Sequence, residues 1–263
     1  MNDLTVSMVQ TSLDWHDPVA NRARLAAQLA AALPGPGYTD LIVLPEMFTT
    51  GFTLATEAQA EDFPGPTLAW LRTQAAHYGA VVTGSVLSRA EGRCYNRLLW
   101  VRPNGTFSTH DKRHLFRLAG EHTVLGAGAG PVPLETWRGW RICPLICYDL
   151  RFPVWSRNRG TDPYDVLLYV ANWPDERLLA WQLLLRARAI ENLAYVVGVN
   201  RLGTDGNGLT YSGQSALLDM RGHYLAQAGN LEEVFTHTLR AGALREFRQR
   251  TRFLDDADAF SWG

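Results

Sequence analysis

Short apolar runs separated by polar turns dominate the chain, and several of them end on a chemically active side chain. Leu4 to Gln10 reads as a first strand, and Pro18 to Leu33 as a helix rich in Ala, Leu and Arg, closed by Pro34-Gly35-Pro36-Gly37. Leu41 to Pro45 is a short strand that delivers Glu46, and Pro64 to Tyr78 is a second helix, with a proline in its first turn and Gly79 at its end. Ala80 to Leu87 and Tyr95 to Val101 are strands. Pro103-Asn104-Gly105 is a hairpin turn from the latter into Thr106 to His110. Trp140 to Cys147 is an apolar strand, followed by a short helical piece near Val154-Trp155 and a buried strand over Asp165 to Ala171. Pro174 to Asn192 carries the strongest helical pattern, with Leu178, Trp181, Leu184, Leu185 and Ala189 broadly spaced for one apolar face. Tyr195 to Asn200, Gly213 to Met220 and Val234 to Leu239 complete the strands.

Early and middle strands alternate with helices while some neighbours join as hairpins, so the pattern predicts an α/β protein with mixed sheets. No internal repeat, low-complexity tract or linker marks a boundary, and residues 1–263 are expected to form a single domain. With 46% hydrophobic and 19% charged residues the composition is globular. A formal charge of −1 argues against a nucleic-acid or membrane-surface role, which needs an excess of Lys and Arg, and leaves small molecules as the expected partners. Met1-Asn2-Asp3 does not resemble a signal peptide, and no stretch approaches the roughly 18 apolar residues of a membrane span. Three cysteines, Cys94, Cys143 and Cys147, cannot all pair with one another, so a reducing cytoplasm is the expected compartment.

The chemistry begins at Cys147, where the apolar run Trp140-Arg141-Ile142-Cys143-Pro144-Leu145-Ile146-Cys147 turns into Tyr148-Asp149-Leu150-Arg151-Phe152-Pro153. A thiol at a strand mouth is where α/β architectures place their chemistry, although a cysteine in an apolar strand is more often an inert core residue. Cys143, an even number of residues away, is expected to be such a core thiol. Taken singly, Glu46 also reads as a strand-end acid or cap, and Lys112 as the partner of Asp111 in a surface ion pair. Arg188 and Glu191 on the long helix read as a structural pair, and Asp149 with Arg151 as an ion pair orienting the turn at Cys147. No Cys-x-x-Cys or His-x-x-x-His clamp is present, so no metal site is expected. Gly126-Ala127-Gly128-Ala129-Gly130 lacks the lysine of a phosphate loop and reads as a flexible small-residue run.

Leu44-Pro45-Glu46-Met47-Phe48, Asp111-Lys112-Arg113-His114-Leu115-Phe116 and Cys147 to Pro153 together resemble the three signature segments of the nitrilase superfamily. Arg188 to Asn192, Asn200 and Gly213-Gln214-Ser215 are similar to its downstream landmarks, so the likeness spans most of the chain. Cys147 to Asn158 and Asn172-Trp173-Pro174 are most similar to the omega-amidase branch, which deamidates 2-oxo acid amides. The resemblance implies an α-β-β-α sandwich of two mixed sheets covered by helices, homodimers, and a cofactor-free hydrolase. It further implies Cys147 as nucleophile, Glu46 as general base, and Lys112 as the fixed charge that holds the oxyanion together with the backbone N–H of Tyr148. Glu121 in Leu118-Ala119-Gly120-Glu121-His122 matches the family's second glutamate, and its bland reading is a solvated loop residue. Phe116, Tyr148 and Trp173 follow the motifs closely enough to wall the substrate, with Arg117 and Arg177 as the arginines nearest to hand for a substrate carboxylate. A nitrilase or N-carbamoyl-amine hydrolase would use the same three residues. A catalytically silent binding module on this fold would most simply lack one of them, and all three are present.

Overall fold

The computed structural model describes residues 1–158 and 163–258. In chain order these residues form β1 (Leu4–Gln10), α1 (Pro18–Ala32), β2 (Leu41–Val43), α2 (Thr56–Gln59), β3 (Glu61–Asp62), α3 (Pro66–Tyr78), β4 (Val81–Ala90), β5 (Arg93–Val101) and β6 (Phe107–Asp111). There follow α4 (Glu121–Val124), β7 (Glu135–Trp137), β8 (Trp140–Ile146), β9 (Val166–Ala171), α5 (Leu178–Asn192), β10 (Tyr195–Asn200), β11 (Leu202–Thr204), β12 (Thr210–Ser212), β13 (Ala216–Leu218), β14 (Tyr224–Gln227), β15 (Glu233–Leu239) and α6 (Ala241–Thr251). Among the described residues no helix is long and apolar enough to cross a membrane.

Two mixed sheets carry the fold, in the orders β15-β1-β2-β4-β5-β6 and β14-β13-β10-β9-β8-β7. The central strands β1, β2 and β4 run parallel, as do β8, β9 and β10, and the outer pairs of both sheets are antiparallel. Alternation along each strand assigns its two faces. On β9, Val166, Leu168 and Val170 enter the core shared with Leu4, Val6 and Met8 of β1, whereas Leu167, Tyr169 and Ala171 pack with Trp181, Leu185 and Ala189 of α5. Leu25 and Leu29 of α1 and Leu68, Leu71 and Ala75 of α3 cover the outer face of the first sheet. The result is the expected α-β-β-α sandwich. Burial on both faces is why these strands read as continuous apolar runs.

Several element boundaries differ from the sequence reading, each for a local reason. The second helix starts at Pro66, not Pro64, because the Glu61 carboxylate accepts from Thr67 N at 3.1 Å and from its hydroxyl at 2.6 Å, which fixes the first turn there. The long helix begins at Leu178 after a 3₁₀ turn over Asp175–Arg177. The strand expected over Gly213 to Met220 is limited to Ala216–Leu218, because Gly213 and Gln214 both adopt positive φ, at 72° and 59°. The helical piece expected near Val154-Trp155 is instead a 3₁₀ helix at Cys147–Arg151, followed by a turn. Cys143 is fully buried against the α5 layer, the core thiol that its position suggests.

Candidate active site

The ends of three strands bring the candidate residues together. Beyond β2, Leu44 N still donates to Thr83 O at 2.8 Å, and Met47 N donates to Ser85 Oγ at 2.9 Å. Glu46 lies between these two ties, and Met47 turns the chain with φ at 41°. Lys112 follows β6 directly, with its N–H donated to Asn96 O at 2.9 Å and its carbonyl accepting from Gly128 N at 2.8 Å. The run Gly126 to Gly130 is therefore not a free loop. Gly126 N is tied to Cys94 O at 2.8 Å, and a Cβ at Gly128 would lie 2.1 Å from Asp111 O, so glycine permits the approach that pins the lysine backbone.

Cys147 opens the 3₁₀ helix with φ at 42°, a left-handed conformation that carries strain for any residue but glycine. Asp149 holds that turn, but not through Arg151. Its carboxylate accepts from Ile146 N at 3.1 Å, from His114 N at 3.0 Å and from His114 Nδ1 at 2.7 Å, joining the cysteine turn to the lysine segment. The His114 ring stacks on Phe152 with centroids 3.7 Å apart. Arg151 instead lies over the Trp173 ring at 5.0 Å. Arg188 and Glu191 pair at 3.0 Å as expected, and Arg188 Nη2 also donates to Leu150 O at 2.6 Å, bracing the same turn.

Glu46, Lys112 and Glu121 form a dry charged cluster, each at most 1% exposed. Lys112 Nζ lies 3.0 Å from Glu46 Oε1 and 3.0 Å from Glu121 Oε2. Asp111 is not its partner and pairs with Arg97 at 2.7 Å. Burial would push the lysine pKa down, but the two carboxylates more than offset it, so the ammonium is held above its ordinary value. Glu46 also accepts from Asn96 Nδ2 at 2.7 Å and from Asn172 N at 2.7 Å, while Asn172 Nδ2 donates to Glu46 O at 2.6 Å. Every partner of this carboxylate is a donor. Glu121 is buried, not solvated, and caps its own loop by accepting from Phe116 N at 2.6 Å.

Desolvation, reinforced by the charge of Glu46 and opposed by Lys112, pushes the Cys147 thiol well above its ordinary value. A raised thiol holds its proton more tightly than an exposed one, and the Glu46 carboxylate is among the groups that raise it. A small space of about 60 Å³ fronts the sulfur. Lys112, Phe116, Tyr148 and Trp173 line it, together with Phe52, Arg151, Asn172, Arg177 and Tyr211, whereas Arg117 belongs to a neighbouring groove. Arg177 lies over the Phe116 ring at 5.2 Å, and Phe116 meets Tyr148 edge-on at 5.0 Å. Sequence reasoning missed Asn96, whose signal was a lone buried amide within an apolar strand, and Arg151, which it assigned to Asp149.

A buried carboxylate and ammonium flank a strand-end thiol on an α-β-β-α sandwich. Residues 5–249 match the family model described as carbon-nitrogen hydrolase. The chain is 46% identical to the omega-amidase YafV of Escherichia coli over 99% of each chain, and 35% identical to the 2-oxoglutaramate amidase of Bacillus subtilis, covering 83% of this chain and 85% of that one. It superimposes on XC1258 from Xanthomonas campestris, a CN-hydrolase superfamily protein solved with an arsenic adduct in its active site, with TM-score 0.96 and 49% identity over 100% of both chains. The chain thus belongs to the carbon-nitrogen hydrolase family, whose members act on carbon-nitrogen bonds other than peptide bonds.

Proposed function

We propose that this protein is an omega-amidase that hydrolyses the terminal amide of a small 2-oxo dicarboxylate monoamide through a cysteine thioester. The observation that carries the reading is the buried Glu46-Lys112-Glu121 cluster beside the Cys147 thiol, in a pocket edged by two arginines. Full-length similarity to proteins named omega-amidase supports the substrate class. In this mechanism Glu46 takes the thiol proton as sulfur attacks the amide carbonyl, and the oxyanion is held by Lys112 Nζ and Tyr148 N. Collapse expels ammonia, which receives its proton from Glu46. Water, deprotonated by Glu46, then cleaves the thioester to the carboxylate and regenerates the thiol. Glu121 keeps Lys112 in place and completes its charge environment.

Arg151 and Arg177, each held over an aromatic ring, are the side chains suited to the distal carboxylate of the substrate. Phe116, Tyr148 and Trp173 would pack its short carbon chain. No cofactor takes part in this scheme. The 263 residues act as one domain in the cytoplasm, where three free cysteines are kept reduced. The partner is a second copy of the chain: Leu179, Leu183 and Ile190 are 69%, 57% and 52% exposed on one stripe of α5, which suits an isologous apolar contact. Light scattering of Leu183→Glu tests that contact, and a purely monomeric wild type would refute it.

The activity is tested by ammonia release from 2-oxosuccinamate, 2-oxoglutaramate, a neutral amide of equal length, the matching nitrile and N-carbamoyl amines. A site built to pair a carboxylate discriminates by roughly 10⁴ against an analogue lacking it. Comparable kcat/KM for the neutral amide, or a nitrile turned over fastest, overturns the substrate assignment.

A further inference from the structure

Beside the catalytic pocket runs an open groove of about 980 Å³ whose lining is far more basic than a net charge of −1 would suggest. Arg89, Arg93, Arg113 and Arg117 line it, and among the described residues Glu57 is its single carboxylate. Arg89 is neutralised by Asp62 at 3.0 Å. Arg113 donates to the neutral carbonyl of Gly128 at 2.9 Å and faces the Trp155 ring, so its charge is not cancelled. Among the described residues Arg93 and Arg117 have no carboxylate within ion-pair distance. Three guanidinium charges therefore face the groove against one acid. The groove also meets the chemistry: Tyr148 belongs to both linings, and Arg117 follows Phe116 of the pocket wall directly.

We propose that this groove is an electrostatic vestibule that concentrates small carboxylate anions at the mouth of the active-site pocket. It draws in the singly charged amide and holds the doubly charged dicarboxylate product more strongly. The inference rests on the reading above that the substrate bears a carboxylate. Through about 10 Å of water one unit charge changes the local concentration of a monoanion about twofold, and an excess of two charges about fourfold. For a dianion the logarithm of the effect doubles, and salt screens both, since the screening length falls from about 30 Å at 0.01 M to about 8 Å at 0.15 M.

The test measures KM and kcat for the carboxylate-bearing amide, and the competitive Ki of its dicarboxylate product, from about 0.01 to about 0.5 M ionic strength. Wild type is compared with Arg93→Glu and Arg93→Lys, Arg93 being exposed and outside the catalytic machinery. In wild type KM should rise with salt, and log Ki about twice as steeply. Arg93→Glu, a change of two charge units, should raise KM about fourfold at low salt with kcat unchanged, the difference collapsing at high salt. Arg93→Lys should match wild type, and a neutral competitor should respond to neither salt nor charge. An Arg93→Glu KM equal to wild type at low salt, or an equal shift for the neutral competitor, overturns the vestibule. If neutral and charged amides are turned over alike, the substrate assignment has failed, and the effect of Arg93→Glu on the product Ki decides the vestibule on its own.

Discussion

Replacing Lys112 by methionine should separate the two duties that the proposed mechanism gives the lysine. The ammonium sits 3.0 Å from each of two carboxylates that are 0% exposed. Methionine fills similar volume but leaves two negative groups facing each other without a counter-ion. Removing one partner of a buried pair costs about 3–5 kcal/mol, which for a chain of this length lowers Tm by roughly 6–20 °C. Loss of an oxyanion donor independently costs about 3–4 kcal/mol of barrier, or 10²–10³ in kcat. Adding Glu121→Gln relieves one carboxylate, so Lys112→Met/Glu121→Gln should regain about half of the lost stability and none of the lost kcat. Denaturant unfolding with matched m-values reads the first quantity, and a coupled ammonia assay the second. A Lys112→Met protein as stable as wild type, or retaining a tenth of its kcat, refutes the reasoning. Recovery of kcat in the double variant would show that the loss came from misfolding rather than from the missing charge.

Cys147→Ala should fold normally and lose all turnover while Cys143→Ala stays active, with hydroxylamine trapping of the acyl-enzyme by mass spectrometry as the direct check. Because burial raises the Cys147 thiol, its alkylation by iodoacetamide in the free enzyme should keep accelerating through about pH 9, and a plateau near neutrality would contradict the raised value. Asp149→Asn should lower kcat at least tenfold with little change in KM, since one carboxylate accepts three N–H groups from both sides of the site, and retention of full kcat would show that the turn holds without it. The Cys143 thiol is raised by burial above an ordinary value of 9.0, so the unfolded chain releases that proton first; stability should be level below about pH 8.5 and fall at higher pH, less steeply in Cys143→Ala on calorimetry.

The strands that lead to Glu46 and Cys147 were legible because each apolar run stops where a polar side chain must emerge, whereas β6, which leads to Lys112, is polar and was legible only as the second arm of a hairpin. The parallel centre of each sheet is buried on both faces, which gave β8, β9 and β10 their unbroken hydrophobic signal. The helix α6 escaped because it buries only Ala241, Leu244 and Phe247, among Arg245, Glu246, Arg248 and Arg250. Asp149 was rightly given the task of orienting the turn but with the wrong partner. Its true one, His114, lies 35 residues away and meets it only once the two sheets have closed. For Glu121 the bland alternative of a solvated loop residue drew on the glycine-rich setting, but Glu121 is buried, and Gly126 and Gly128 are small because Tyr95 and Asp111 press against them. Between Arg117 and Arg177 no periodicity could decide, since both lie in 3₁₀ turns whose direction is set by tertiary packing.

The left-handed backbones at Met47 and Cys147, with φ of 41° and 42°, put one strained residue directly after Glu46 and another at the thiol itself. Each costs on the order of 1–3 kcal/mol, and glycine would relieve either without a clash of its own Cβ. A laboratory screen for heat resistance that never asks for ammonia would therefore drift toward glycine at position 147, rewarding the loss of the sulfur itself. Under the proposed mechanism durability and turnover pull against each other at a single codon, and selection for the reaction keeps the cysteine in place.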